Sequence, residues 1–181
     1  MNFTECELKG LFILEPKVFG DERGYFYESF NQQEFNEKIG KEYLFVQDNQ
    51  SLSSKNVVRG LHFQKPPFDQ GKLVRVVQGS VLDVALDIRK DSPTYGKHFS
   101  ILLSAENKKQ FWVPPGFAHG FATLEDQTIF QYKCTNFYQP SSEDCVLWND
   151  SDLNIDWQLE QTLVSEKDKL GKKWTDFSTP F

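Results

Sequence analysis

Residues 72–88, KLVRVVQGSVLDVALDI, read as strand, tight turn, strand. Segments 72–77 and 81–88 flank Gln78-Gly79-Ser80, a spacing that predicts a β-hairpin. Side chains alternate along a strand. Leu82, Val84, Leu86 and Ile88 therefore share one face, expected in the core. Val81, Asp83, Ala85 and Asp87 share the other, and Asp83 is expected to point to solvent or into a cavity.

The same pattern continues outward. Upstream, residues 43–50 read as a strand, the Ser-rich 51–56 as a turn, and 57–64 (VVRGLHFQ) as a strand. A loop over 65–71 carries two prolines and a glycine. Downstream, 97–104 and 111–113 are short strands, and Pro114-Pro115-Gly116 breaks the chain. Segments 121–124 and 127–138 are expected to form a second hairpin around Glu125-Asp126, with Thr128, Phe130, Tyr132 and Cys134 on one face. Near the N-terminus, 11–14 and 25–30 read as strands joined by turn chemistry at 20–24. A short helix is predicted near residues 31–39. Asn31 is its N-cap, Glu34 completes a capping box, Phe35 and Ile39 share a face, and Gly40 stops it. After Pro140 the chain is polar and weakly periodic, and it is expected to wrap the sheet as an irregular tail. About ten short strands joined by Gly, Pro and Asn turns predict an all-β fold. It is expected to be a jelly-roll or cupin-like antiparallel β-barrel forming a single domain over 1–181.

Composition excludes several function classes. The net charge of −6 argues against a nucleic-acid surface, while leaving room for a small anion held by a few cations. The three cysteines, Cys6, Cys134 and Cys145, have no CxxC spacing, so neither a disulfide framework nor a zinc ribbon is expected. No apolar run resembles a signal peptide or is long enough to span a bilayer, and the cytoplasm is the expected compartment.

The chemistry is concentrated in few residues. Only three histidines are present: His62, His98 and His119. Pro114–His119 resembles the second motif of cupins, P-x-G-x-x-H. Metal-binding cupins also need an H-x-H motif with a following Glu, whereas this chain reads Arg59-Gly60-Leu61-His62. No metal is therefore expected. A metal-free histidine in a barrel mouth is either satisfied by core hydrogen bonds or acts as a general base. A base needs an orienting acid, for which the sequence offers Asp83 and Asp168 among others, and a second group to return the proton, which Tyr132 can be. Arg59, Lys72 and Arg23 are either solvated surface charges or handles for an anion. Strict alternation would put Arg59 and His62 on opposite faces, unless Gly60 permits a bulge.

Several stretches together resemble the dTDP-4-dehydrorhamnose 3,5-epimerase family. They are Asp21–Gly24, Phe45–Asn49, Val58–Gln64, Gln70–Val74, Gly79–Val84, Pro114–Phe121 and Ser165–Asp168. The resemblance spans about residues 1–178. It implies a cofactor-free isomerase that inverts C3 and C5 of dTDP-4-dehydro-6-deoxy-D-glucose. His62 would be the proton acceptor with Asp168 as partner, Tyr132 the proton donor, and Lys72 would lie near the keto oxygen. Arg23, Glu28, Gln47, Asn49, Arg59, His119, Glu143 and Lys167 would contact the nucleotide sugar. From the aromatic content alone, an aromatic such as Phe19 or Tyr138 is expected to stack on the thymine. The resemblance also implies a homodimer whose N-terminal residues reach the neighbour's site. Sister activities on this scaffold are single-centre epimerisation and 3,4-ketoisomerisation. More distant alternatives are a metal-dependent cupin oxygenase and a non-catalytic sugar-binding jelly roll.

Overall fold

The computed structural model describes residues 1–181. Its strands are β1 (Asn2–Glu5), β2 (Phe12–Glu15), β3 (Phe19–Asp21), β4 (Gly24–Phe26), β5 (Gln47–Ser53), β6 (Val57–Gln64) and β7 (Lys72–Gln78). They continue with β8 (Ser80–Asp87), β9 (His98–Ser104), β10 (Gln110–Val113), β11 (Phe117–Thr123), β12 (Thr128–Cys134), β13 (Glu143–Cys145) and β14 (Leu163–Val164). The helices are α1 (Gln32–Ile39) and α2 (Glu166–Lys169). One sheet has the order β1-β2-β10-β7-β12-β5 and the other β13-β6-β11-β8-β9, with β14 beside β6. The segments β10-β7-β12-β5 and β9-β8-β11-β6 match place for place. Sequence neighbours β5 and β6, β7 and β8, β9 and β10, β11 and β12 thus sit in facing sheets. This is the expected all-β jelly roll.

That arrangement corrects both predicted hairpins. β7 does not pair with β8: it bonds to β10 and β12, whereas β8 bonds to β9 and β11. β11 and β12 likewise belong to different sheets. Gly79, at φ +76°, turns the chain from one sheet to the other within a single residue. Burial explains why crossing wins over pairing. Every residue of β8 is buried, so it needs apolar partners on both faces. Val81 and Ala85 pack between the sheets with Val74, Val76, Phe111 and Phe130. Leu82, Val84, Leu86 and Ile88 pack outward, beneath Val146, Leu153, Trp157, Val164 and Phe177 of the tail. The tail therefore covers the sheet as expected. The face carrying Asp83 is the barrel interior.

Two boundaries also shift. β5 starts at Gln47 and runs through Ser53, because Ser51 and Ser53 stay in register with Phe130 and Thr128 of β12. Tyr43 and Phe45 instead pack against Trp112 in an aromatic cluster. Of the expected strand at 25–30 only Tyr25 and Phe26 are extended, in β4. It pairs with β3 as an exposed hairpin that belongs to neither large sheet. Helix α1 has the predicted caps: Asn31 Oδ1 accepts the Glu34 N–H at 3.1 Å, and Gly40 is left-handed. The capping box is not reciprocal, because Glu34 takes the N-terminal ammonium at 2.9 Å.

Candidate active site

The cavity forms between the sheets, and alternation aims side chains into it. From one sheet come Gln47, Asn49 and Ser51 of β5, Lys72 of β7, and Phe130 and Tyr132 of β12. From the other come Arg59 and His62 of β6 and His119 and Phe121 of β11. Together with loop and tail residues they line about 460 Å³.

Arg59 and His62 share that face because β6 carries a bulge. His119 pairs with His62 and Phe121 with Arg59, so two steps on β11 oppose three on β6. Gly60 makes this possible. Its φ is +130°, and a Cβ there would run into Gly120 Cα and the His119 carbonyl. The Gly60–Leu61 peptide is cis.

The bulge also faces α2. His62 Nε2 lies 2.6 Å from Asp168 Oδ1, and the Gly60 N–H donates to Asp168 Oδ2 at 3.4 Å. Ser165 caps α2 and accepts the Asp168 N–H at 3.1 Å. The Asp168 side chain is 4% exposed, that of His62 27%. Burial alone would raise the Asp168 pKa, but the His62 hydrogen bond and charge, with Gly60 and Ser165, hold it below the usual carboxylate range. A carboxylate at Nε2 fixes the proton there and leaves Nδ1 as the basic nitrogen.

The facing sheet presents an acid and a cation. Burial pushes the Tyr132 phenol up to about 12. Burial lowers the Lys72 pKa, with Cys134, Glu143 and Asp83 opposing that shift. The Lys72 ammonium lies 5.9 Å from the centre of the Tyr132 ring. Tyr132 is thus held protonated, in the sheet facing His62 and its carboxylate partner.

The remaining predicted residues divide cleanly. Gln47, Asn49, Arg59, His119, Glu143 and Lys167 all line the cavity. Gln47 donates to Asn49 at 3.0 Å, and Arg59 leans on Ser53. At the mouth, Lys167 and the Tyr138 hydroxyl both reach Glu143 Oε2, at 2.5 and 2.6 Å. Glu143 would be raised by burial, but those two partners hold it low. Arg23 and Glu28 are not brought in. Arg23 sits on the β3–β4 hairpin, bonded to Asp21, and Glu28 is exposed in the loop after β4. Phe19 is on that hairpin too, away from the cavity, whereas Tyr138 lines it. His98 lies outside the cavity.

Two features were not anticipated. Asp83, fully buried, binds His119 Nε2 at 2.9 and 3.1 Å, forming a second histidine–carboxylate pair beside the first. Ser51 Oγ is a buried side-chain oxygen with no hydrogen-bond partner. Its spacing from Gln47 and Asn49 was the available signal, obscured by reading 51–56 as a turn. Cys145 lies behind His62 as its β-partner. Burial pushes its thiol up to about 12, with the Asp168 and Asp144 charges adding to the effect. It is therefore a neutral S–H, donating to the Val146 carbonyl at 3.4 Å.

The family model described as dTDP-4-dehydrorhamnose 3,5-epimerase matches residues 5–176. The dTDP-4-dehydrorhamnose 3,5-epimerase of Salmonella typhimurium is 60% identical over 161 residues, covering 89% of this chain and 88% of that protein. The crystal structure of the Elizabethkingia anophelis dTDP-4-dehydrorhamnose 3,5-epimerase superposes with a TM-score of 0.94 at 50% identity, covering 97% of each chain. That of the Legionella pneumophila dTDP-6-deoxy-D-glucose-3,5-epimerase, in complex with dTDP-4-keto-L-rhamnose, gives 0.93 at 50% identity, covering 96% of this chain and 93% of that one.

Proposed function

The chain belongs to the dTDP-4-dehydrorhamnose 3,5-epimerase family and is an isomerase of nucleotide sugars, and from that premise we propose how its own residues invert C3 and C5 of dTDP-4-dehydro-6-deoxy-D-glucose. The 4-keto group acidifies the hydrogens on both neighbouring carbons. His62 Nδ1 takes one, and the electron pair moves onto O4 as an enolate. Lys72 stabilises that oxyanion, an effect strongest in a desolvated site. Tyr132 delivers its proton to the opposite face of the same carbon, inverting it. Asp168 keeps the imidazole in the required tautomer and stabilises the cation that forms.

Each inversion leaves His62 with one proton too many and Tyr132 with one too few. Solvent restores both before the second carbon reacts, so the new C–H bonds carry solvent hydrogen. The observation that carries this reading is the 2.6 Å His62–Asp168 contact, facing a phenol that stays protonated. Arg59 suits the diphosphate, since a guanidinium fork matches phosphate oxygens. The chemistry asks for no metal or organic cofactor.

We further infer a homodimer in the cytoplasm. Phe19, Tyr25 and Phe26 stand exposed on the hairpin that carries Arg23, which supports its use as an arm reaching a second copy's cavity. Turnover of the 4-keto substrate in D₂O tests the chemistry. Deuterium is expected at C3 and C5, and label at C3 alone would sink the double inversion.

A further inference from the structure

Three side chains with metal-binding atoms converge at one wall of the cavity. They are His62 of β6, Cys145 of β13 and Asp168 of α2, and their ligand atoms all lie within 4.8 Å of one another. Resting on the reading of His62 as the base, we propose that this cluster is an inhibitory site for a thiophilic divalent cation such as Zn²⁺ or Cd²⁺, which takes the place of the proton held between His62 and Asp168.

The donor set selects the ion. One imidazole nitrogen, one sulfur and one carboxylate oxygen suit zinc and its softer relatives, whereas magnesium and calcium need oxygen ligands. Bond lengths of about 2.0–2.3 Å put tetrahedral ligands roughly 3.3–3.8 Å apart. The His62–Asp168 contact of 2.6 Å must open slightly, and the longer separations must close by about 1 Å. The Cys145 sulfur, whose one hydrogen bond is the 3.4 Å contact to the Val146 carbonyl, is the group that has to move. Access is one-sided. The Asp168 side chain is 4% exposed and that of His62 27%, so an ion arrives from the cavity and keeps a fourth position open to water there.

The protons and charges balance. Cys145 releases its S–H proton to the buffer and binds as thiolate. The imidazole proton moves from Nε2 to Nδ1, so that Nε2 can ligate. Thiolate and carboxylate together neutralise the dication, which suits a buried site. Inhibition follows directly, because Nδ1 is protonated and no basic nitrogen faces the substrate while the ion is bound.

The test titrates chelator-treated full-length enzyme with Cd²⁺. The expected result is one ion per chain, an ultraviolet thiolate–cadmium absorption, and loss of epimerase activity at the same midpoint, all reversed by EDTA. Cys145→Ser should lack the absorption and need at least tenfold more Cd²⁺ for half-inhibition. Cys145→Ala should behave alike, which excludes a hydroxyl standing in for sulfur, and Cys6→Ser should behave as the parent. An absorption or a midpoint unchanged in Cys145→Ser would overturn the proposal, as would equal inhibition by Mg²⁺. Cadmium bound through Cys145 in a chain without epimerase activity would overturn the catalytic reading and leave the ion site standing. An active enzyme with no cadmium absorption would do the reverse.

Discussion

At the scale of single residues, charge state divides the labour. His62→Ala removes the proposed base and leaves the cavity walls in place. Solvent exchange should fall by about 10²–10⁴-fold, while nucleotide-sugar affinity, read by calorimetry, should change by less than about tenfold, or 1.4 kcal/mol. An unchanged exchange rate would leave His62 without a role. The pH profile separates the two groups on the facing sheet. In the proposed mechanism Lys72 holds the enolate and must be charged to do so, and burial lowers its pKa. As pH rises it loses its proton before an ordinary lysine near 10.4 does, while Tyr132, at about 12, is still protonated. The alkaline fall in kcat should therefore belong to Lys72, and Lys72→Arg should move that limb to higher pH. On the acid side, Asp168 has a depressed folded-state pKa. Its contribution to stability is present above the unfolded value near 3.9 and is lost as pH falls through the lower folded value.

At the scale of elements, the bulge in β6 decides whether there is a site at all. Straightening it by one residue would turn His62 or Arg59 away from the cavity. Gly60→Ala places a Cβ against Gly120 and the His119 carbonyl at a φ of +130°. It should cost more than about 1 kcal/mol of stability, and kcat should drop even at temperatures where the variant remains folded. A melting curve and an exchange assay together check this. The bulge was legible in the chain, because strict alternation conflicted with two residues wanted on one face and a glycine lay between them. Helix α1 was equally legible, since Asn31 and Gly40 act on their own neighbours. The hairpins at Gly79 and Glu125 were not. A tight turn fixes only that the chain reverses. Whether the two strands bond to each other or face each other across a core depends on partners such as β9, β11 and the tail. Ser51 was missed for the same reason, because its strand continues only through its pairing with distant β12.

At the scale of the whole molecule, the cavity of one chain collects most of the residues expected at the site, but Arg23 and Glu28 stay on or beside the projecting hairpin. The arm reading has a sharp test. Arg23→Ala and His62→Ala homodimers should each have low activity. When the two chains are mixed, one site per dimer combines an intact His62 with an intact Arg23, and activity should recover. No recovery would place Arg23 outside catalysis. Another consequence concerns how the protein matures. His62 and its carboxylate partner Asp168 are separated by 106 residues, and Asp168 is carried by the tail that packs over the sheet. Such long-range closure is slow relative to local structure. In refolding experiments, turnover should return later than the spectroscopic signature of the β-sheets. A chain cut short before α2 would lack Asp168 together with Phe177, which packs in the core, so it should show no turnover.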